Sequence, residues 1–245
     1  MDRRKFLKAG ALLTAGTAGA YGLPLMTAYK ASAASEQVSS ALCKWGMVID
    51  VSKCSPGCTA CIDACRKENN VAYFGDSRWD IYFIRKVTVR SKLSPDFPEK
   101  SVPLLCNHCD EPPCALVCPV QATYKRKDGI VIVDHHRCIG CRYCLIACPY
   151  NVRYFNYREN PDWPNEDFPK RSHGVADSCT LCAHLLDEGK KPACVEACAK
   201  ANAGALVVGN LNDANSEVAT LIRNNPVKRL REGLGTNPKV YYIGL

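Results

Sequence analysis

Residues Cys138 to Tyr150 read CIGCRYCLIACPY, four cysteines separated by two, two and three residues and followed by proline. Three more quartets accompany it, and together they constrain the 245-residue chain more tightly than any other feature. CSPGCTACIDAC holds Cys54, Cys58, Cys61 and Cys65, and CNHCDEPPCALVCP holds Cys106, Cys109, Cys114 and Cys118. The opening stretch contributes Cys138, Cys141, Cys144 and Cys148. CTLCAHLLDEGKKPACVEAC adds Cys179, Cys182, Cys194 and Cys198. Sixteen of the 17 cysteines thus form a repeated ligand unit, with Cys43 left over.

Disulfides, zinc and iron–sulfur clusters all use crowded cysteines. Cysteines two residues apart on a tight loop rarely reach disulfide geometry with each other. A chain with 47% hydrophobic residues also has enough apolar content for a core and little need of staples. Zinc prefers two CxxC knuckles separated by a linker, four ligands to one ion. The last quartet taken alone fits that description; CxxCxxCxxxCP does not. A cubane cluster needs one thiolate at each of four iron corners. Two-residue gaps let a short loop supply three of them, while the fourth cysteine enters a helix and points to a neighbouring cluster. Pro119 and Pro149 set the chain direction after it and leave no N–H unsatisfied at the turn. Iron–sulfur ligation is the reading that accounts for the spacing.

Other candidates are weaker. Cys43, before the apolar run WGMVIDV, reads as a buried free thiol packing as a small hydrophobe. His108, His135, His136, His173 and His184 lie in or beside the quartets. The cysteines already supply every corner, so hydrogen bonding near a cluster or plain exposure is their expected role. The chain carries no glycine-rich phosphate loop, hydrolytic triad signature or paired carboxylates, which argues against independent chemistry on an organic substrate.

The N-terminus, MDRRKFLKAGALLTAGTAGAYGLPLM, joins a twin arginine at Arg3 and Arg4 to a Gly- and Ala-rich segment, with small residues at Ala31 to Ala33 for a peptidase. It resembles a twin-arginine export signal over residues 1–33. The rival reading is a membrane anchor over Ala9 to Met26, for which the glycines and threonines are poor material. The twin-arginine route carries folded proteins, so a cofactor can be inserted before export. Removing residues 1–33 takes away five basic residues and one acid, leaving 27 against 23 and a formal charge of +4. Four oxidised cubanes with their thiolates, each carrying about −2, turn the holoprotein negative. Nucleic acid is therefore discounted as a partner.

Between the quartets, short strands are expected in DIYFIRKVTV, with Ile81, Phe83, Val87 and Val89 on one side, in GIVIVDH after the Asp128-Gly129 turn, and in ALVVGNLND and KVYYIGL. Ser216 is placed to cap a helix through EVATLIRNN, ended before Pro226. RENPDWPNEDFPKRSHG, Arg158 to Gly174, reads as a surface loop. Its Trp163 and Phe168 either dock a partner or are pinned to their own domain.

The quartets in this order resemble the four-cluster ferredoxin-type electron-transfer subunits of the DMSO-reductase/polysulfide-reductase family. The matching stretches are CNHCDEPPCALVCP, then DHHRCIGCRYCLIACPY, then CTLC followed by PACVEAC. Within that family, the twin-arginine start and the ending LGTNPKVYYIGL look most like the extracytoplasmic subunit of the membrane complex associated with dissimilatory sulfite reduction. The resemblance implies an α+β fold of two interlocked ferredoxin-like lobes, with short strands, short helices and long cluster-binding loops. The four-cluster domain covers residues 34–245, with an inner lobe at about 100–155 and an outer lobe from about 40–99 and 170–245. It implies four [4Fe–4S] clusters. One is held by Cys106, Cys109, Cys114 and Cys148, and its neighbour by Cys138, Cys141, Cys144 and Cys118. Cys54, Cys58, Cys61 and Cys198 hold a third, and Cys179, Cys182, Cys194 and Cys65 the fourth.

One departure stands out: three residues, SPG, separate Cys54 from Cys58 where the family has two. A turn at Pro56-Gly57 can absorb the extra residue, and three clusters are the fallback. The implied role is to relay electrons, without making or breaking substrate bonds, at the outer face of the cytoplasmic membrane. The implied partners are an integral membrane quinone-interacting subunit and either a multihaem cytochrome c or, as in close relatives, a molybdopterin catalytic subunit. The competing class is an exported binding module held by zinc or disulfides.

Overall fold

A computed structural model describes residues 43–90, 98–202 and 204–245, so the expected export signal lies outside the described residues. The largest sheet is built from the two ends of the described chain. Strand β1 (Trp45–Asp50) pairs in parallel with β10 (Val240–Ile243) and antiparallel with β8 (Leu206–Asn210). β9 (Val227–Lys228) completes the order β8-β1-β10-β9. Met47, Val48 and Ile49 are each almost fully buried, as expected of a central strand covered on both faces. Three two-stranded ribbons lie elsewhere: β2 (Ile84–Val89) with β3 (Lys100–Leu105), β4 (Thr123–Lys125) with β5 (Val131–Val133), and β6 (Tyr154–Phe155) with β7 (Ala176–Asp177).

Short helices interrupt the strands: α1 (Ala60–Glu68), α2 (Pro113–Leu116), α3 (Tyr143–Ala147), α4 (Ala183–Asp187), α5 (Ala193–Asn202) and α6 (Glu217–Asn224). α1 packs on α5 and α2 packs on α3. α6 lies against β8 and β1, driving Val218 to full burial beside Gly209. The result is a mixed α and β architecture of short elements, as the sequence implied.

The expected strand over Asp80–Val89 begins only at Ile84. The backbone just before it is spent on a local loop: the Ile81 N–H donates to the Ala72 carbonyl, and the Asp80 carboxylate accepts from the N–H groups of Phe74 (2.6 Å) and Gly75 (3.1 Å). Ile81 and Phe83 are nonetheless buried, while Val89 at the strand's end is exposed. In the facing strand Pro103 offers no N–H, and its carbonyl accepts from the buried Tyr242 hydroxyl at 3.1 Å. That bond ties the ribbon to the main sheet. Gly129 adopts φ +82° in the expected turn, and the strand after it is confined to Val131–Val133. The Arg158–Gly174 loop runs over the surface, anchored by Asn70, whose side chain donates to the carbonyls of Asn165 (2.8 Å) and Phe168 (3.0 Å). Trp163 is half-buried, and Phe168 stacks on His184 with ring centroids 4.6 Å apart, so Phe168 is pinned to its own chain. Cys43, expected to be buried, is half-buried.

Ser216 caps α6 as its position demanded: its hydroxyl accepts from the Ala219 N–H at 3.1 Å and donates to the Asn210 carbonyl at 2.7 Å. Ser216→Ala removes both bonds and is expected to lower stability by about 1 kcal/mol, read as a lower urea midpoint with unchanged m-value.

Candidate functional site

A helix places residues four apart on one face, one turn above another. Cys61 and Cys65 are so related on α1, and Cys194 and Cys198 on α5. Because α1 packs on α5, the four thiols meet crosswise. Cys61 and Cys198 line a common cavity with Cys54, Cys58, Lys86 and Pro103. Cys65 instead interacts with Cys179, Cys194 and Cys182. The shorter pair of helices repeats the device. Cys114 in α2 and Cys148, at the end of α3, share a cavity with Cys106 and Cys109. Cys144 in α3 interacts with Cys138. Cys118 is half-buried just beyond α2, and Cys141 is exposed.

Local backbone explains the loops. Gly140 in CIGC has φ +70°, and a Cβ there would sit 2.5 Å from the Gly174 carbonyl oxygen, so no other residue fits. Cys182 and Leu181, Arg142, and His108 also take positive φ, one or more in each of three quartets. Backbone N–H groups also point at sulfur. Leu181 N–H donates to Cys179 Sγ at 3.4 Å, and Ala176 N–H to Cys138 Sγ at 3.5 Å. The Asn69 amide reaches Cys182 Sγ at 3.4 Å and Cys65 Sγ at 3.8 Å.

Burial opposes ionisation of most of these thiols. It is the first cause pushing Cys61 and Cys109 up to about 11 and Cys179 up to about 12, with neighbouring cysteines adding to it at each. Cys118 is the exception: burial still raises it, but the N–H groups of Thr123, Val120 and Ala122 outweigh this and hold it below the ordinary value. Buried sulfur of this kind ionises only when a metal centre supplies the compensating charge. The donor set fits clusters: each of the two thiol-lined cavities gathers four cysteines and no histidine or carboxylate, the thiolate-only set that a cubane takes.

The cysteine groups also act on one another electrostatically: Cys61 on Cys194, Cys179 on Cys106, and Cys114 on Cys144. They therefore form a series through the chain, ending near the surface around Cys141. Six of the ten large exposed hydrophobic side chains among the described residues belong to this end of the series, Leu116, Val117, Tyr124, Ile139, Tyr143 and Ile146.

The histidines stay outside the thiol groups. His108 is buried, and its Nδ1 accepts from the Val131 N–H at 3.0 Å. Burial, with Lys239 and Arg153 nearby, pushes its pKa down to about 3, so the ring is neutral. His135 approaches Asp177 at 3.4 Å and His184 approaches Glu68 at 2.9 Å, while His136 and His173 are exposed. Sequence reasoning missed four residues beside the thiols: Asn69, Lys86, Arg153, and Thr236, whose hydroxyl bonds the Cys109 thiol and the Tyr150 hydroxyl. Arg153 carried a signal, a charge inside the apolar stretch after Cys148; the others had none. Lys86 bears on the extra residue of the first quartet. Its ammonium donates to the carbonyls of Ser55 (2.5 Å), Pro56 (3.4 Å) and Cys58 (2.8 Å), clamping the enlarged loop.

An array of crowded, buried thiols crossing between neighbouring groups defines a carrier of electrons, an iron–sulfur protein. Two family models, each described as a 4Fe-4S dicluster domain, match residues 99–162 and 137–203. The Hdr-like menaquinol oxidoreductase iron-sulfur subunit 1 of Archaeoglobus fulgidus is 43% identical, covering all of this chain and 98% of the relative. A tetrathionate reductase subunit of Salmonella typhimurium is 38% identical over all of this chain and 88% of its own length. The menaquinone reductase iron-sulfur cluster-binding subunit of Nitratidesulfovibrio vulgaris is 39% identical over 82% of this chain and 88% of the relative. The chain belongs to the family of ferredoxin-type 4Fe-4S dicluster iron–sulfur subunits, electron-transfer components of larger membrane oxidoreductase complexes. It holds multiple [4Fe–4S] clusters in two dicluster domains; the Cys54–Cys65 quartet lies outside both matched segments.

Lys86→Met removes three ammonium–carbonyl bonds from the first-quartet loop. It is expected to cost about 1–2 kcal/mol and to raise hydrogen exchange at residues 55–58, measured on the holoprotein against the unmodified chain.

Proposed function

We propose that this chain is the extracytoplasmic iron–sulfur subunit of a DsrMKJOP-type complex of sulfur metabolism, a DsrO-like protein. It relays electrons between an integral membrane quinone-interacting subunit and a multihaem cytochrome c. The observation that carries the relay is the crosswise sharing of helical cysteine pairs, which sets the thiol groups in one series. The twin arginine at Arg3 and Arg4 supports export of the folded, loaded protein to the outer face of the cytoplasmic membrane. Among the described residues no helix is long and apolar enough to cross a membrane, and attachment through partners accords with that.

Four [4Fe–4S] clusters are assigned to this chain. Cys54, Cys58, Cys61 and Cys198 hold one, and Cys65, Cys179, Cys182 and Cys194 the next. Cys106, Cys109, Cys114 and Cys148 hold a third, and Cys118, Cys138, Cys141 and Cys144 the last. Residues at about 100–155 form the inner lobe, and those at about 40–99 and 170–245 the outer. When bound, each cluster takes up and returns one electron at a potential set by its surroundings, within roughly −700 to +450 mV. The chain's own residues do the rest: apolar packing excludes water from eleven of the sixteen thiols, backbone and Asn69 N–H groups bond the sulfurs, and the helices fix the distances. A redox partner is placed over Leu116, Ile139 and Ile146, where the series reaches the surface.

A second reading, the electron-transfer subunit of a molybdopterin oxidoreductase, is favoured by the 38% identity to the tetrathionate reductase subunit. Affinity purification from native membranes separates the two. Co-purifying multihaem cytochrome c is expected, and a molybdopterin protein in its place overturns the DsrO-like assignment. The same preparation, kept anaerobic, is expected to be brown, with about sixteen iron and as many sulfide per chain. About twelve of each points to three clusters; a colourless zinc-loaded protein contradicts the whole reading. Ile146→Asp is expected to leave the iron content unchanged and to reduce recovery of the redox partner several-fold.

A further inference from the structure

Arginine keeps its charge in any protein environment, and a buried one is ordinarily paired. Among the described residues two arginines, Arg171 and Arg153, lie deep among the thiols, and one of the two is paired with a carboxylate. Arg171 donates through Nη1 to both carboxylate oxygens of the buried Asp177, at 2.8 and 3.0 Å. That carboxylate offsets, in part, the charge Arg171 presents to Cys65, Cys179 and Cys182. Arg153 is 6% exposed; its Nη1 donates to the Thr123 hydroxyl at 3.1 Å, and its guanidinium also hydrogen-bonds the thiols of Cys114 and Cys144. Its Nε and Nη2 are buried without a hydrogen-bond partner of good geometry, and no carboxylate of the described residues pairs with it.

The surroundings of Arg153 are sulfur. It lines the cavity shared by Cys106, Cys109, Cys114 and Cys148. It also interacts with Cys144 of the adjoining group, as it does with Cys114. Reduction adds negative charge to a site already negative, and an uncancelled cation in a poorly screened interior favours that step. We propose that Arg153 is a positioning residue serving as the common counter-cation of two neighbouring cluster sites, that of Cys106, Cys109, Cys114 and Cys148 and that of Cys118, Cys138, Cys141 and Cys144. It raises the reduction potential of both, and Arg171, offset by Asp177, gives its own site a smaller lift. This rests on the ligand assignment above.

The test is a potentiometric titration of the anaerobically purified holoprotein, followed by low-temperature paramagnetic resonance, with iron and sulfide content measured alongside. In Arg153→Met two midpoints fall and the others stay. Each fall corresponds to at least a tenfold loss of reduced over oxidised cluster at fixed potential, about 59 mV for a one-electron couple. Arg153→Lys restores part of the shift. Thr123→Val, which removes the anchoring hydroxyl, moves the same two midpoints in the same direction by less. Unchanged midpoints in a fully loaded Arg153→Met protein overturn the proposal, as does an equal fall in all of them. If Arg153→Met loses iron, Thr123→Val decides: movement of that pair alone supports the proposal and no movement overturns it. Absence of cluster signals from the unmodified protein would instead defeat the ligand assignment, a separate result.

Discussion

The rest of this structure depends on thiols held where they cannot readily ionise. Eleven of the sixteen quartet cysteines are buried, most of them inside the same apolar cluster as Ile49, Phe83 and Tyr242. Buried thiolate is costly unless a nearby cation offsets the lost hydration. Iron in a cluster supplies that offset, so folding of the cysteine-bearing loops and metal binding are one event. Secondary structure here is correspondingly spare: strands of two to six residues and helices of four to ten gain little from their own hydrogen bonds and act as brackets for the loops.

Within that frame the brackets are not equivalent. The α1 and α5 pair is a pair of true helices, and each carries both of its cysteines within its own length. The α2 and α3 pair is so short that its fourth cysteines fall at or past the helix end. Of these, Cys148 is buried and Cys118 lies nearer to water, as does Cys141 in the loop before α3, so the series comes closest to the surface at that end. The charges beside the groups differ too: Lys86 is turned to loop carbonyls, Arg171 is offset in part by Asp177, and Arg153 is left without a carboxylate. One repeated ligand unit is thus given several distinct environments.

Much of this was legible beforehand because spacing encodes it. The three-residue gap before Cys65, Cys118, Cys148 and Cys198 turns into a helix by the backbone's own period, and the Ser216 cap and Gly129 turn follow from local chemistry. The strand over Asp80–Val89 was overdrawn because alternation does not reveal that Asp80 holds the preceding backbone in a loop. Lys86 and Thr236 could not be found, since each reaches its partners from a distant part of the chain. Arg153 stood in view, but only its burial and lack of a carboxylate give it meaning.

Crosswise sharing of the helical pairs is the central claim, and Cys65→Ala tests it most directly. Mössbauer spectra of the iron-57 protein should show damage to the same cluster that Cys179→Ala damages, with the cluster of Cys54, Cys58 and Cys61 left intact. Damage by Cys65→Ala to the cluster that Cys54→Ala destroys would contradict the account.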